Sequence, residues 1–371
     1  MKTAFIYHEL MAEHVLRSDH PMKPIRIKNT YDLLDAYGAF DLDHYLVRPR
    51  VATEQELQSF HSFEYISAVE SLSKGSQRFD PGKYNFSLTG DNPYFQGMYE
   101  SALISTGGSI MGAELLCEGS VDRVFNIGGG LHHAAPDRAS GFCVFNDPVI
   151  AINHFLDKGM RVAYIDIDCH HGDGVQNAYY DSDQVITISI HESGKYLFPG
   201  TGFTDEIGLG PGKGYSVNIP LFPFTDDVTY IRLFNELVIP IVEAFDPDVI
   251  TTQLGIDTHY KDPITHLQLT SKGFSSIIQK LAAFERPWLA LGGGGYDIDA
   301  VARCWTLAYG VMIERDWPND IPLDYARQKG FSLLRDDHMP HLELDLHEQV
   351  VNHALKISGE VKSAIFPYHR L

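Results

Sequence analysis

No run of apolar residues in this chain approaches the roughly 18 needed to cross a membrane. The stretch from Met1 to Glu9 lacks the apolar length of a signal peptide. Cysteine is scarce: the four, at positions 117, 143, 169 and 304, form neither a CxxC pair nor a dense framework. That usage fits a reducing compartment better than a disulfide scaffold. Basic residues are few as well. The 29 Lys and Arg face 49 Asp and Glu, giving a formal charge of −20, and no long basic run is present. Such a balance argues against nucleic acid as a direct partner and favours cationic or neutral substrates, although a solvated acidic surface accounts for most of the acids. The HExxH, GxSxG and P-loop signatures are also absent. The expectation is a soluble, cytoplasmic protein with no membrane and no nucleic acid among its partners.

What is present is a regular alternation. The 371 residues with 44% hydrophobic content suit a sizeable core. Apolar runs at residues 3–7, Asp122–Ile127, Arg161–Ile165, Gln184–Ser189, Asp248–Leu254 and Trp288–Leu291 read as strands. Between them, helices are expected around Ile25–Leu34, Glu54–Val69, Tyr94–Leu116, Pro148–Leu156, Val175–Tyr180, Val228–Ala244, Ser271–Phe284 and Ala300–Ile313. Ser73–Pro93 is a long loop punctuated by glycine and proline, of the kind that forms functional rims. Alternating βα units predict a parallel sheet covered on both faces. No repeat and no linker interrupts the chain before about residue 315, so one domain over 1–371 is expected, with a core of about 1–315 and a C-terminal extension packing on it.

The most informative stretch is Asp166-Ile167-Asp168-Cys169-His170-His171-Gly172-Asp173-Gly174. Three carboxylates and two imidazoles crowd the carboxyl end of a core strand, where open α/β sheets bind ligands. Asp166, Asp168 and His170 share one parity, so an extended strand would point them to one side. Buried carboxylates stay ionised only if a cation or donor compensates them. Asp173 as a simple helix cap is the plainer alternative, but it explains neither the other two acids nor the His pair. Three more strand ends carry unusual residues: His132-His133 after three glycines, Asp257 after an apolar strand, and Tyr296 after Gly292–Gly295. Singly, each has a bland reading as a core histidine, a helix cap or a loose turn. Together they supply ligands, a proton shuttle and an electrophilic donor, the parts of metal-assisted hydrolysis. Two carboxylates and an imidazole from Asp168, His170 and Asp257 suit zinc, and ligand type alone also admits iron(II) or manganese.

Several of these stretches resemble the histone deacetylase family, closer to its class I and bacterial acetoin-utilisation branch than to class II. They are His20-Pro21-Met22-Lys23-Pro24, Gly128–Ala134, Gly141–Asp147, Asp166–Gly174, Phe198–Gly202, Gly292–Tyr296 and Val301–Trp305. The resemblance implies the three-layer arginase/deacetylase α/β fold, with a mainly parallel central sheet flanked by helices. It implies zinc on Asp168, His170 and Asp257, His133 as general base and acid oriented by Asp173, His132 held by Asp166, and Tyr296 as oxyanion donor. Phe142, Phe198 and the Gly141 backbone would line a narrow tunnel for a lysine stem, Asp91 would hold the substrate backbone at the rim, Ile264 would join the substrate-binding residues, and Arg26 would line an internal cavity that releases acetate. A structural potassium ion would map to Asp166, Asp168, His170, Ser189 and Ile190. The implied activity is a zinc-dependent lysine deacetylase or deacylase acting on acyl-lysine proteins or peptides.

Two departures stand out. After Asp257 the chain reads Thr258-His259-Tyr260-Lys261-Asp262-Pro263 rather than the Ser-Leu continuation of the animal class I enzymes. Of three basic positions that bind inositol phosphate in the animal corepressor enzymes, only Lys23 is kept, with Pro263 and Asp299 at the others. An inositol-phosphate corepressor complex is therefore not expected. Competing readings are an acetylpolyamine amidohydrolase, a binuclear manganese ureohydrolase, and a non-catalytic acyl-lysine reader.

Overall fold

The computed structural model describes residues 1–12 and 16–371. Its centre is one sheet of eight strands in the order β2-β1-β3-β8-β7-β4-β5-β6. These are β1 (Thr3–Ile6), β2 (His44–Val47), β3 (Arg123–Asn126), β4 (Val162–Asp166), β5 (Val185–Glu192), β6 (Ser216–Leu221), β7 (Val249–Gln253) and β8 (Trp288–Leu291). Every pairing is parallel. Apart from the edge strand β2, every strand is buried along its full length, the pattern of a sheet covered on both faces. The strands β3, β8, β7 and β4 are consecutive in the sheet. Their carboxyl ends therefore deliver His132-His133, Tyr296, Asp257 and the Asp166–Asp173 turn to one rim.

Three differences from the sequence reading have physical causes. The helix expected over Glu54–Val69 is two helices, Glu54–Leu57 and Phe63–Ser73. The first carries a capping box between Thr53 and Glu56, and Ser62 caps the second through the Tyr65 N–H, so a second start signal lies inside the apolar pattern. The edge strands β2 and β6 lacked a strong apolar run. β2 is half-exposed, and β6 is covered on its outer edge by the helix Leu344–His369, an element that the polar tail did not advertise. His353 and His369 bond across that contact to the carbonyls of Pro220 and Gly214, at 2.9 and 2.8 Å. The loop 73–93 is rooted by Tyr84 and Phe86, buried with Tyr65 and Phe145 in a second apolar cluster. Among the described residues, no helix is long and apolar enough to cross a membrane.

His61 belongs to that cluster's rim and carries a stability prediction. Its Nε2 accepts the Asn146 backbone N–H at 2.9 Å, and burial lowers its pKa from 6.5 to about 4. The folded chain keeps the ring neutral, whereas the unfolded chain takes a proton below about 6.5. The stabilisation is therefore complete above pH 6.5 and is lost as pH falls towards 4, by about 3 kcal/mol at most. In His61→Gln the amide oxygen can accept the same bond without titrating. Urea midpoints of this variant should fall less between pH 6.5 and 4 than those of the parent, and equal slopes would refute the assignment.

Candidate active site

The turn after β4 is built by its own carboxylates. Asp166 ends the strand, its Oδ1 accepts the Asp168 N–H at 3.1 Å, and Asp168 Oδ1 accepts the His170 N–H at 2.9 Å. These are successive side-chain turns. They, rather than an extended strand, bring Asp168 and His170 to the rim. Asp257 meets them from β7, its Oδ1 accepting the Cys169 N–H at 2.7 Å. The ligand atoms of Asp168, His170 and Asp257 lie within 4.8 Å of one another, and all three residues are buried. His170 Nδ1 is 3.1 Å from Asp168 Oδ1 and 2.9 Å from Asp257 Oδ2.

The electrostatics of these three groups test whether a cation fits. Burial opposes charge on His170, yet the two carboxylates push its pKa up to about 10. Burial and the charge of Asp168 raise Asp257 to about 8. Burial resists ionisation of Asp168 too, but the His132 and His170 charges hold it well below the usual range. A cluster that draws protons so strongly demands positive charge, and its mixed O/N donor set fits a divalent ion.

Two His–Asp pairs stand beside it. His132 Nδ1 donates to Asp166 Oδ2 and His133 Nδ1 donates to Asp173 Oδ1, each at 2.7 Å. Asp173 is also the first residue of its helix, after Gly172, and the same Oδ1 accepts the Gly174 N–H at 2.9 Å, so it serves the helix start and His133 together. The two rings, with centroids 4.0 Å apart, are tuned in opposite directions. Burial disfavours charge on both. The Asp166 charge overrides it at His132, which rises to about 9, whereas burial and the neighbouring His132 lower His133 to about 4. The Asp166 pair thus favours the charged ring at His132, and burial favours the neutral ring at His133.

Tyr296 hangs from the loop after β8. A Cβ at Gly294 would collide with the Asp257 and Asp168 carboxylates, so only glycine lets this backbone pass so close. The Gly294 N–H donates to Asp168 Oδ2 at 2.9 Å. Burial, together with Asp257 and Asp168, keeps the Tyr296 phenol protonated, well above its ordinary pKa of 10.

Of these groups, His133, His170 and Tyr296 face a cavity of about 220 Å³ lined also by Asp91, Gly141, Phe142, Leu197, Phe198 and Ile264. The expected tunnel residues Phe142, Phe198 and Gly141, the rim residue Asp91 and Ile264 all line it, and Leu197 joins them. Phe198 packs edge-on to His133 at 5.0 Å and Phe142 edge-on to Tyr296 at 5.9 Å. Gly141 has φ +51°, and a Cβ there would strike the His133 ring. Asp91 is exposed at the mouth, and the adjacent Asn92 accepts the Phe142 N–H at 2.9 Å. Arg26 lies behind, on a separate internal cavity that shares Phe142. Its guanidinium donates to the carbonyls of Gly293 and Gly295 at 2.7 and 3.0 Å. Ser189 lies opposite Asp166 in the β4–β5 pairing, and its hydroxyl meets His191 Nδ1 at 2.8 Å.

Four supporting residues were not assigned roles from sequence. Tyr164, two before Asp166 and on the same side of the strand, donates to Asp166 Oδ2 at 2.7 Å. Gln253, a polar residue ending an apolar strand, donates to Asp168 Oδ2 at 2.6 Å. Asn146 donates to the carbonyls of His132 and Ala134 at 3.2 and 3.0 Å, and Asp147 accepts the N–H groups of Gly130 and Leu131 at 3.0 and 2.9 Å. Parity marked Tyr164, and polarity in an apolar run marked Gln253. Nothing local marked the last two as braces of the His132-His133 loop.

Comparison with known proteins follows the same lines. The model of the histone deacetylase domain matches residues 20–312. The acetoin utilization protein AcuC of Bacillus subtilis (strain 168) is 41% identical over 330 residues, covering 87% of this chain and 85% of its own. Histone deacetylase 1 of Homo sapiens is 40% identical over 338 residues, covering 89% of this chain and 68% of its own. A crystal structure of an HDAC homologue complexed with SAHA superposes with a TM-score of 0.87 at 31% identity, over 96% of this chain and 100% of that one. The eight-stranded parallel sheet is thus the expected arginase/deacetylase fold.

Proposed function

The chain belongs to the histone deacetylase family of hydrolases, and we propose that it removes acetyl or other short acyl groups from the Nε of protein lysines in a zinc-dependent reaction. The observation that carries this reading is the cavity in which two aromatic walls, Phe142 and Phe198, lead to His133, His170 and Tyr296. A methylene stem packs between aromatic faces, and an amide at its end arrives among proton-transfer and hydrogen-bonding groups.

Zinc held by Asp168, His170 and Asp257 would supply polarisation of the acyl carbonyl and acidification of water. The protein does the rest. Neutral His133 has its Nδ1–H committed to Asp173, so Nε2 takes the proton of the attacking water and then delivers it to the amine as the C–N bond breaks. The Tyr296 hydroxyl donates to the oxygen that gains negative charge. His132, held as a cation by Asp166, adds positive potential beside it. Asp91 at the mouth accepts from the substrate backbone, and Arg26 lines the path by which acetate leaves. A structural potassium ion on Asp166, Asp168, His170, Ser189 and Ile190 is part of the same proposal. Acyl-lysine proteins or peptides are the proposed partners. An inositol-phosphate corepressor complex is not, since Pro263 and Asp299 replace two basic residues and Lys23 Nζ is bound to the Ser18 carbonyl at 2.6 Å.

The test is turnover by the zinc-loaded protein on matched acetyl-lysine peptides and acetylated polyamines. Peptide cleavage is the expected result, with longer acyl chains then graded. Cleavage of polyamines alone would move the protein to small-molecule metabolism, and silence on both and on the longer acyl-lysine peptides, with zinc bound, would remove the deacylase reading.

A further inference from the structure

Four glycines precede Tyr296, so no side chain of its own loop braces it, and Gly293 and Gly295 adopt φ of +128° and +124°. The loop body is held by Arg26 and Asp168, as described above. Tyr296 itself is held by a different group. Its backbone N–H donates to Asp262 Oδ2 at 2.8 Å, while Asp262 Oδ1 accepts the N–H of Ile264, on the cavity wall, at 3.0 Å. One buried carboxylate thus spans the phenol's anchor and the pocket wall.

Asp262 is in turn set from behind. Its own N–H donates to the His259 carbonyl at 2.8 Å. The buried His259 ring accepts the Lys261 N–H on Nδ1 at 3.2 Å, which assigns its proton to Nε2, and Nε2 donates to Asp336 Oδ2 at 2.9 Å. Asp336 is fixed by the Ser271 N–H at 2.8 Å and by Arg303 at 2.9 Å. It lies in the C-terminal segment, beyond the 20–312 match.

We infer that Asp262 is a positioning residue that sets Tyr296 against the acyl carbonyl, and that His259 and Asp336 fix it in place. The inference rests on the deacylase reading. A donor displaced by a fraction of an ångström loses much of its effect, because the developing charge is stabilised only at hydrogen-bond distance.

The experiment is a double-mutant cycle on an acetyl-lysine peptide, with Asp262→Ala and Asp262→Asn made in the parent and in Tyr296→Phe, all zinc-loaded. Asp262→Ala should lower kcat about 10–100-fold, with KM changed less than about threefold and metal content unchanged. Asparagine keeps one acceptor oxygen and should recover part of the loss. In Tyr296→Phe, the alanine change should cost less than about threefold more, because both act through one hydroxyl. Should the alanine variant not fold, the near-isosteric asparagine carries the same cycle. Parental kcat in the Asp262 variants would overturn the inference, as would an equal loss in both backgrounds. A parent inactive on acyl-lysine would overturn the deacylase reading, and this inference with it.

Discussion

Tyr296→Phe is expected to lower kcat on acetyl-lysine peptides by about 10²–10³, the usual cost of one oxyanion donor. The substitution is clean. The ring keeps its edge-on packing against Phe142, and the backbone keeps its bond to Asp262. Burial places the phenol pKa far above the working range, so the parent donates across neutral pH and the loss should not vary with pH there. Zinc content should stay near that of the parent, because the hydroxyl belongs to no ligand. His133→Ala is the companion: it removes the proton carrier, leaves Asp173 without its imidazole, and should abolish turnover with zinc again retained. Metal analysis beside steady-state kinetics decides both. A phenylalanine variant with parental kcat would sink the proposed role of Tyr296.

Asp168 variants should lose metal and activity together. Asp168 Oδ2 accepts from Gln253 and from the Gly294 N–H, and Oδ1 accepts the His170 N–H. Alanine therefore strands three buried donors as well as removing a ligand, at roughly 1–3 kcal/mol for each unsatisfied group. Asparagine is the sharper variant, since it keeps the volume and one acceptor while removing the charge that makes the cluster demand a cation. A bound ion stabilises the folded state by mass action. Chelation should thus lower the Tm of the parent and leave that of Asp168→Asn nearly unchanged. Metal retained at parental stoichiometry in Asp168→Asn, with a chelator-sensitive Tm, would show that the ion is held elsewhere.

How much of this was legible in the chain depends on the range of the interaction. The central strands announced themselves through short apolar runs, and glycine clusters marked where the backbone passes close to other groups. Asp168, His170, Asp257, His133 and Tyr296 stood out because polar residues at the ends of apolar strands are costly without a purpose. The elements missed are those whose burial is conferred by partners. β6 and the Leu344–His369 helix cover each other, and neither has a pattern strong enough alone. The break at Ser62 shows the reverse case, in which a local cap overrides an apolar period that runs through it.

The sequence alone determined the fold class, the ligand types and the candidate site, because βα alternation, strand-end chemistry and spacing are local properties. Only the tertiary structure decided in which direction each histidine is tuned. His132 and His133 are adjacent in the chain and chemically identical, and they differ because burial acts on both while Asp166 overrides it at one alone. It likewise decided that Tyr296 is anchored by Asp262, 34 residues away, and that Asp262 is fixed through His259 by Asp336. Hydrogen bonds between such distant positions follow from how the strands are ordered in the sheet, and no local pattern in the chain encodes that order.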